Sequence, residues 1–179
     1  MNFIYPISDR KWVSPLVVVP KKNGKWRICV DYRELNTTTQ KYHFPLLSID
    51  QVLDTLVGKK FFSFLDGFSG YNQIQISPED QDKTTFTYSW GTFAYRVLAF
   101  GLCNAPATFQ RAILNIFSDL INEGLEVYMD DLTPYGDDFE PALDRLEKVM
   151  QRCISTRLCL SHEKCYMMMN EGLIIGHYI

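Results

Sequence analysis

The chain has 179 residues, of which 46% are hydrophobic and 22% charged, a size and composition suited to one compact domain with a sizeable core. Ten Gly and eight Pro exclude collagen-like and low-complexity chains, and the first ten residues lack the basic-then-apolar pattern of a secretion signal. No apolar run approaches the roughly 20 residues of a membrane span, so the expectation is an intracellular protein, cytoplasmic or nuclear, with no membrane partner. The net charge of −3 divides unevenly: residues 1–41 carry eight Lys/Arg against three Asp/Glu, the remainder ten against eighteen. Such a division suits a polyanion held by bases while carboxylates gather a divalent metal, although charge also fluctuates along any chain.

The first predicted elements form a β-hairpin, Val13–Val19 and Trp26–Tyr32, around Lys21-Lys22-Asn23-Gly24-Lys25. Asn-Gly supplies the backbone angles of a tight turn, and the flanks are β-branched or aromatic. Apolar spacing predicts a helix over Pro45–Val57 with Ser48 as N-cap. Strands are expected at Phe61–Leu65, Gln73–Ile76, Thr84–Trp90 and Thr92–Leu98, with a polar turn at Ser77–Asp82. A long helix over Ala105–Asn122, a strand at Leu125–Met129, a second arm at Leu132–Tyr135 and a helix over Phe139–Leu158 follow, with short strands at the end. The class is α+β: a mixed sheet with helices on one face.

Two acidic points stand where strands end. Asp66 follows the apolar run Phe61–Leu65, and Asp130-Asp131 sits between two short arms, at a hairpin tip. If those strands are neighbours, three carboxylates converge at one sheet edge. Clustered like charges call for cations, and two Mg²⁺ bridged by carboxylates would catalyse in-line phosphoryl transfer. Asp is also an ordinary turn residue. In the turn after Asp66, Gly67 and Gly70 admit close backbone approach, their N–H groups can hold a triphosphate, and Tyr71 would stand beside a sugar. The five cysteines are scattered and odd in number, which argues against a disulfide framework. Cys159, His162 and Cys165 allow a zinc-stabilised interaction domain to be imagined, at a spacing that matches no common finger.

Four segments carry a family resemblance: Val30-Asp31-Tyr32-Arg33-Glu34-Leu35-Asn36, Phe64-Leu65-Asp66-Gly67-Phe68-Ser69-Gly70-Tyr71, Phe100 to Gln110 as FGLCNAPATFQ, and Tyr128-Met129-Asp130-Asp131. In this order the chain resembles the reverse transcriptase domain of a gypsy-type LTR retrotransposon, nearest to plant elements, from about Tyr5 to its last residue. The resemblance implies a single domain over 1–179 made of fingers and palm, the palm with a ferredoxin-like sheet. It implies an RNA-directed DNA polymerase that adds dNTPs to a primer 3′ end on an RNA or DNA template. Asp66, Asp130 and Asp131 would be the catalytic, metal-binding carboxylates, with the Gly67 carbonyl a further ligand of two Mg²⁺ ions, which Mn²⁺ can replace. Lys22 and Arg27, with the Ser69 and Gly70 amides, would hold the triphosphate. Tyr71 would be the gate against a 2′-OH, Phe100 would lie beneath the nucleotide, and Met129 would touch the primer end.

Other features depart from the family pattern. The chain stops at Gly176-His177-Tyr178-Ile179, which resembles the start of the primer-grip segment, so thumb, connection and RNase H are expected to be absent. Pro134 falls where the family has an apolar strand former and would remove a ladder hydrogen bond, and Ala99 stands where relatives carry Pro. The alternative reading is therefore a catalytically inactive fragment, or a nucleic-acid-binding remnant that keeps the fold. In a full-length element the partners would include other pol domains.

Overall fold

The computed structural model describes residues 3–8, 12–20, 24–45, 48–121, 123–174 and 177–178, with backbone alone over 173–174 and 177–178. The hairpin tip Lys21, Lys22 and Asn23 lies outside these residues, as do Leu46, Leu47, Asn122, Gly176 and Ile179. The chain divides into two compact units, each built from two stretches: Met1–His43 with Tyr71–Pro106, and Phe44–Gly70 with Ala107–Ile179.

In the first unit, β1 (Ile4–Pro6), β6 (Gly91–Tyr95) and β5 (Phe86–Tyr88) form an antiparallel sheet in that order. Strands β2 (Leu16–Pro20) and β3 (Trp26–Val30) make the predicted hairpin, with Val18 opposite Ile28. Short helices α1 (Arg33–Thr38) and α3 (Pro78–Gln81) complete the unit. Its core gathers Val30, Tyr32, Phe86 and Ala99 in one cluster and Ile76, Leu98 and Ala105 in another. Burial pushes the Tyr32 phenol far above its ordinary pKa, and its hydroxyl donates to the Thr84 carbonyl at 2.9 Å. Asn36 and Asn104 clip the unit together. Asn36 donates to the Gly101 carbonyl at 2.7 Å and accepts from the Cys103 amide at 2.8 Å, while Asn104 accepts from the Tyr42 amide at 2.9 Å.

Two expectations change in this unit. Gln73–Ile76 is not a strand: a 3₁₀ turn over Gly70–Gln73 runs into one isolated bridge, Gln75 to Val97. The alternation there reflects a short extended stretch whose Ile76 enters the core. Ser77–Asp82 is helical rather than a plain turn, because Pro78 at the first position and acidic Glu79 and Asp80 favour a helix start.

The second unit is a four-stranded sheet in the order β7 (Leu125–Tyr128), β8 (Asp131–Gly136), β4 (Phe61–Asp66), β9 (Tyr166–Met169), with a terminal pair β10 (Leu173–Ile174) and β11 (His177–Tyr178). The sheet expected to be mixed is antiparallel throughout. Nor is it covered on one face only. Helix α2 (Ile49–Leu56) packs Val52 and Leu56 onto Phe62 and Tyr135, and strand alternation buries Leu132 and Pro134 on the other side. Helix α5 (Phe139–Thr156) lies along β8 and β4, stopped by Arg157 in the left-handed conformation. Helix α4 (Ala105–Ile116) ends sooner than predicted: the Leu120 and Glu123 amides turn back to the carbonyls of Phe117 and Leu120. Among the described residues no helix is long and apolar enough to cross a membrane.

Candidate active site

The sheet of the second unit brings the acidic points together by register. Asp66 closes β4, Asp131 opens β8, and the two are direct cross-strand partners. Asp130 lies beside them in the two-residue loop Met129-Asp130, closed by the Tyr128–Asp131 pair. The Gly67 amide donates to the Asp130 carbonyl at 2.9 Å, which ties the turn after β4 to the loop before β8. The glycines serve this approach: a Cβ on Gly70 would meet Asp130 Cβ at 3.1 Å and the Phe109 ring at 3.1 Å. Ser69 between them takes φ 51°, a left-handed conformation uncommon outside Gly, Asn and Asp.

Met129 also has positive φ, 55°, at the first loop position of a tight hairpin, where glycine is favoured. Its conformation is held from α4. Gln110, fully buried, accepts the Met129 amide through Oε1 at 2.7 Å, while its Nε2 has no hydrogen-bond partner among the described residues. Strain of about 1 kcal/mol at such a residue persists where the surroundings over-determine it. Gln110 thus ties the backbone of the loop that carries Asp130 to helix α4.

Like charge and burial act on the carboxylates together. Burial, then the charges of Asp130 and Asp66, pushes the Asp131 carboxyl up to about 6. Asp130 is raised by burial and by Asp66. Lys164 opposes both shifts. Its ammonium donates to Asp66 Oδ1 at 3.0 Å and Oδ2 at 3.1 Å, and all three acids raise the lysine in turn. A cavity of about 450 Å³ opens here, lined among others by Asp66, Asp131, Thr133, Lys164 and Tyr166.

Three carboxylates and a backbone carbonyl are the hard oxygen donors that Mg²⁺ takes, and their mutual repulsion suits a cation. The donor set fits the ion in chemistry. As placed, however, no three Asp, Glu, His or Cys side chains among the described residues group to hold a metal, and Asp66 is engaged by Lys164. Cys159, His162 and Cys165 do not form such a group either. Cys159 is exposed, and Cys165 Sγ faces the Asp66 carbonyl at 3.9 Å.

The remaining site candidates belong to the first unit. Arg27 lies over the Phe100 ring, 6.0 Å from its centroid, and Tyr71 meets the same ring edge-on at 4.9 Å. Phe100 is 53% exposed, so the three form an open aromatic and cationic surface. Lys22 lies outside the described residues. Two site-side residues went unassigned in the sequence reading: Gln110, quoted only as the end of a motif, and Lys164, hidden in the Cys/His stretch. A polar residue at a helix position facing the core signals the first.

The family described as reverse transcriptase (RNA-dependent DNA polymerase) matches residues 19–179. The retrovirus-related Pol polyprotein from transposon 412 of Drosophila melanogaster is 39% identical across 95% of this chain, and the Tf2-3 transposon polyprotein of Schizosaccharomyces pombe is 31% identical across 92%. The chain spans 14% and 12% of those polyproteins. Among solved structures, a foamy viral protease-reverse transcriptase in complex with double-stranded DNA superimposes with a TM-score of 0.91 at 26% identity, covering 99% of this chain and 31% of that one. The same viral enzyme with an RNA/DNA hybrid also gives 0.91, at 25% identity, covering 99% of this chain and 24% of that one. The chain belongs to the reverse transcriptase family of RNA-directed DNA polymerases, and its relatives are retrotransposon Pol polyproteins.

Proposed function

We propose that this chain carries the nucleotidyl-transfer centre of a retrotransposon polymerase, adding dNTPs to a primer 3′ end on an RNA or DNA template. The observation that carries the reading is the direct pairing of Asp66 with Asp131 across β4 and β8, with Asp130 beside them. Asp66, Asp130, Asp131 and the Gly67 carbonyl would hold two Mg²⁺. When bound, these ions supply charge stabilisation at the attacking and leaving oxygens. The protein's part is to fix the carboxylates on strand ends and to keep the Met129 loop in one conformation for the primer terminus. The Ser69 and Gly70 amides, with Arg27 and Lys22, would neutralise the triphosphate, and Phe100 and Tyr71 would form the wall against the nucleotide. Foamy-virus neighbours hold double-stranded DNA and an RNA/DNA hybrid, which supports a duplex as the partner here. We also assign the first unit to fingers and the second to palm.

Primer extension on poly(rA)/oligo(dT) with dTTP and Mg²⁺ tests this, run beside Asp130→Asn. Extension by the wild type and loss of about 10³-fold or more in the variant is expected, as when a transition-state charge partner is removed. A folded wild type as silent as the variant would favour the second reading, a fold kept without its activity. That reading draws on the gap that Pro134 leaves in the β4–β8 ladder.

A further inference from the structure

The carboxylate set already has a cation, and the chain supplies it. Lys164 contacts both oxygens of Asp66, at 3.0 and 3.1 Å. The contact is not a chance meeting of long side chains, because the backbone around it is clipped to the end of β4. The Ser161 amide donates to the Asp66 carbonyl at 2.7 Å, the Phe68 amide donates to the Cys159 carbonyl at 2.9 Å, and Gly67 bridges Leu160. The Lys164 amide then closes a 3₁₀ turn onto the Ser161 carbonyl at 3.0 Å, which aims its side chain at the acids.

We propose that Lys164 is the resident counter-cation of the Asp66, Asp130 and Asp131 cluster and competes with the divalent ion for Asp66. The inference rests on the metal assignment made above. An ammonium has three donors and no lone pair, so it can neutralise carboxylates but cannot share a metal's coordination shell. While it bonds both oxygens of Asp66, that carboxylate is open to a divalent ion only if the ammonium gives way. The Lys164 side chain is 66% exposed against 19% for Asp66, so the lysine, not the acid, is free to swing out to water. Between loading events the lysine would limit the repulsion that unpaired carboxylates would otherwise carry. The divalent ion then binds by exchange of one cation for another.

Direct titration of the 179-residue chain with Mn²⁺, read by the electron paramagnetic resonance of free Mn²⁺, tests this without any turnover. Wild type, Lys164→Met, Lys164→Arg and Asp66→Asn are compared, each after circular dichroism has shown it folded. Lys164→Met should bind Mn²⁺ more tightly by about tenfold or more, the lower bound set by one unit charge a few ångströms from the ion when water screens the pair. Lys164→Arg, which keeps the charge, should stay near wild type, and Asp66→Asn should lose the site. Equal or weaker binding by Lys164→Met would overturn the competition while leaving the metal assignment intact. Binding indifferent to Asp66→Asn would overturn the metal assignment and the inference with it.

Discussion

Asp131 shows most directly how the fold taxes its own acids. Burial and the neighbouring Asp130 and Asp66 raise its carboxyl to about 6. With the folded value above the unfolded one, the protonated acid's contribution to stability is complete below about 3.8 and is lost as pH rises through about 6. The thermal unfolding midpoint of the wild type should therefore fall by a few degrees between about pH 4 and pH 7 relative to Asp131→Asn, and saturating Mg²⁺ should return most of the difference. A parallel pH dependence in both proteins would contradict this. At this scale the three aspartates were legible because each follows an apolar strand and stands in a motif. The loop strain at Met129, its Gln110 partner and the Lys164 pairing were not. Each depends on a contact between residues far apart in sequence, 19 residues for the first pair and 98 for the second.

Strand β8 carries the main conflict between local chemistry and fold. It pairs with the whole of β7 through Asp131–Pro134, with Leu125 opposite Pro134. Against β4, however, pairs form at Phe61, Phe62, Leu65 and Asp66 and not between, where Pro134 has no N–H to give. The sequence expectation of a lost ladder bond is met, and the strand survives because both its faces are buried. Pro134→Val should restore a ladder bond and raise stability by about 1 kcal/mol in urea unfolding; lower stability would show that the proline's ring packing outweighs the missing bond. The elements misread from sequence share one cause. The 3₁₀ turn at Gly70–Gln73, helix α3 and the early end of α4 are short or frayed segments, whose state follows from tertiary contacts rather than from periodicity. The hairpins and the long helix α5 have strong local signals and were readable.

Over the whole molecule, charge follows the division into units. The first unit carries ten Lys/Arg against six Asp/Glu, and the second eight against fifteen. The basic unit includes Arg27 and Lys22, assigned to phosphate, and the acidic one includes all the carboxylates assigned to metal, so the asymmetry visible in the first 41 residues has a structural counterpart. It stays partial, since bases such as Lys164 sit in the acidic unit. Family membership, by contrast, rests on motifs whose order along the chain needed no structure to read. The measurement that bears most directly on the central claim, that the acids joined across β4 and β8 are the catalytic set, is the rate of dTMP addition against Mg²⁺ for wild type and Asp131→Asn. The account predicts a wild-type rate that saturates with Mg²⁺ and a variant slower by about 10²–10³-fold at every concentration. Rates within twofold of each other, or addition without any divalent ion, would contradict it.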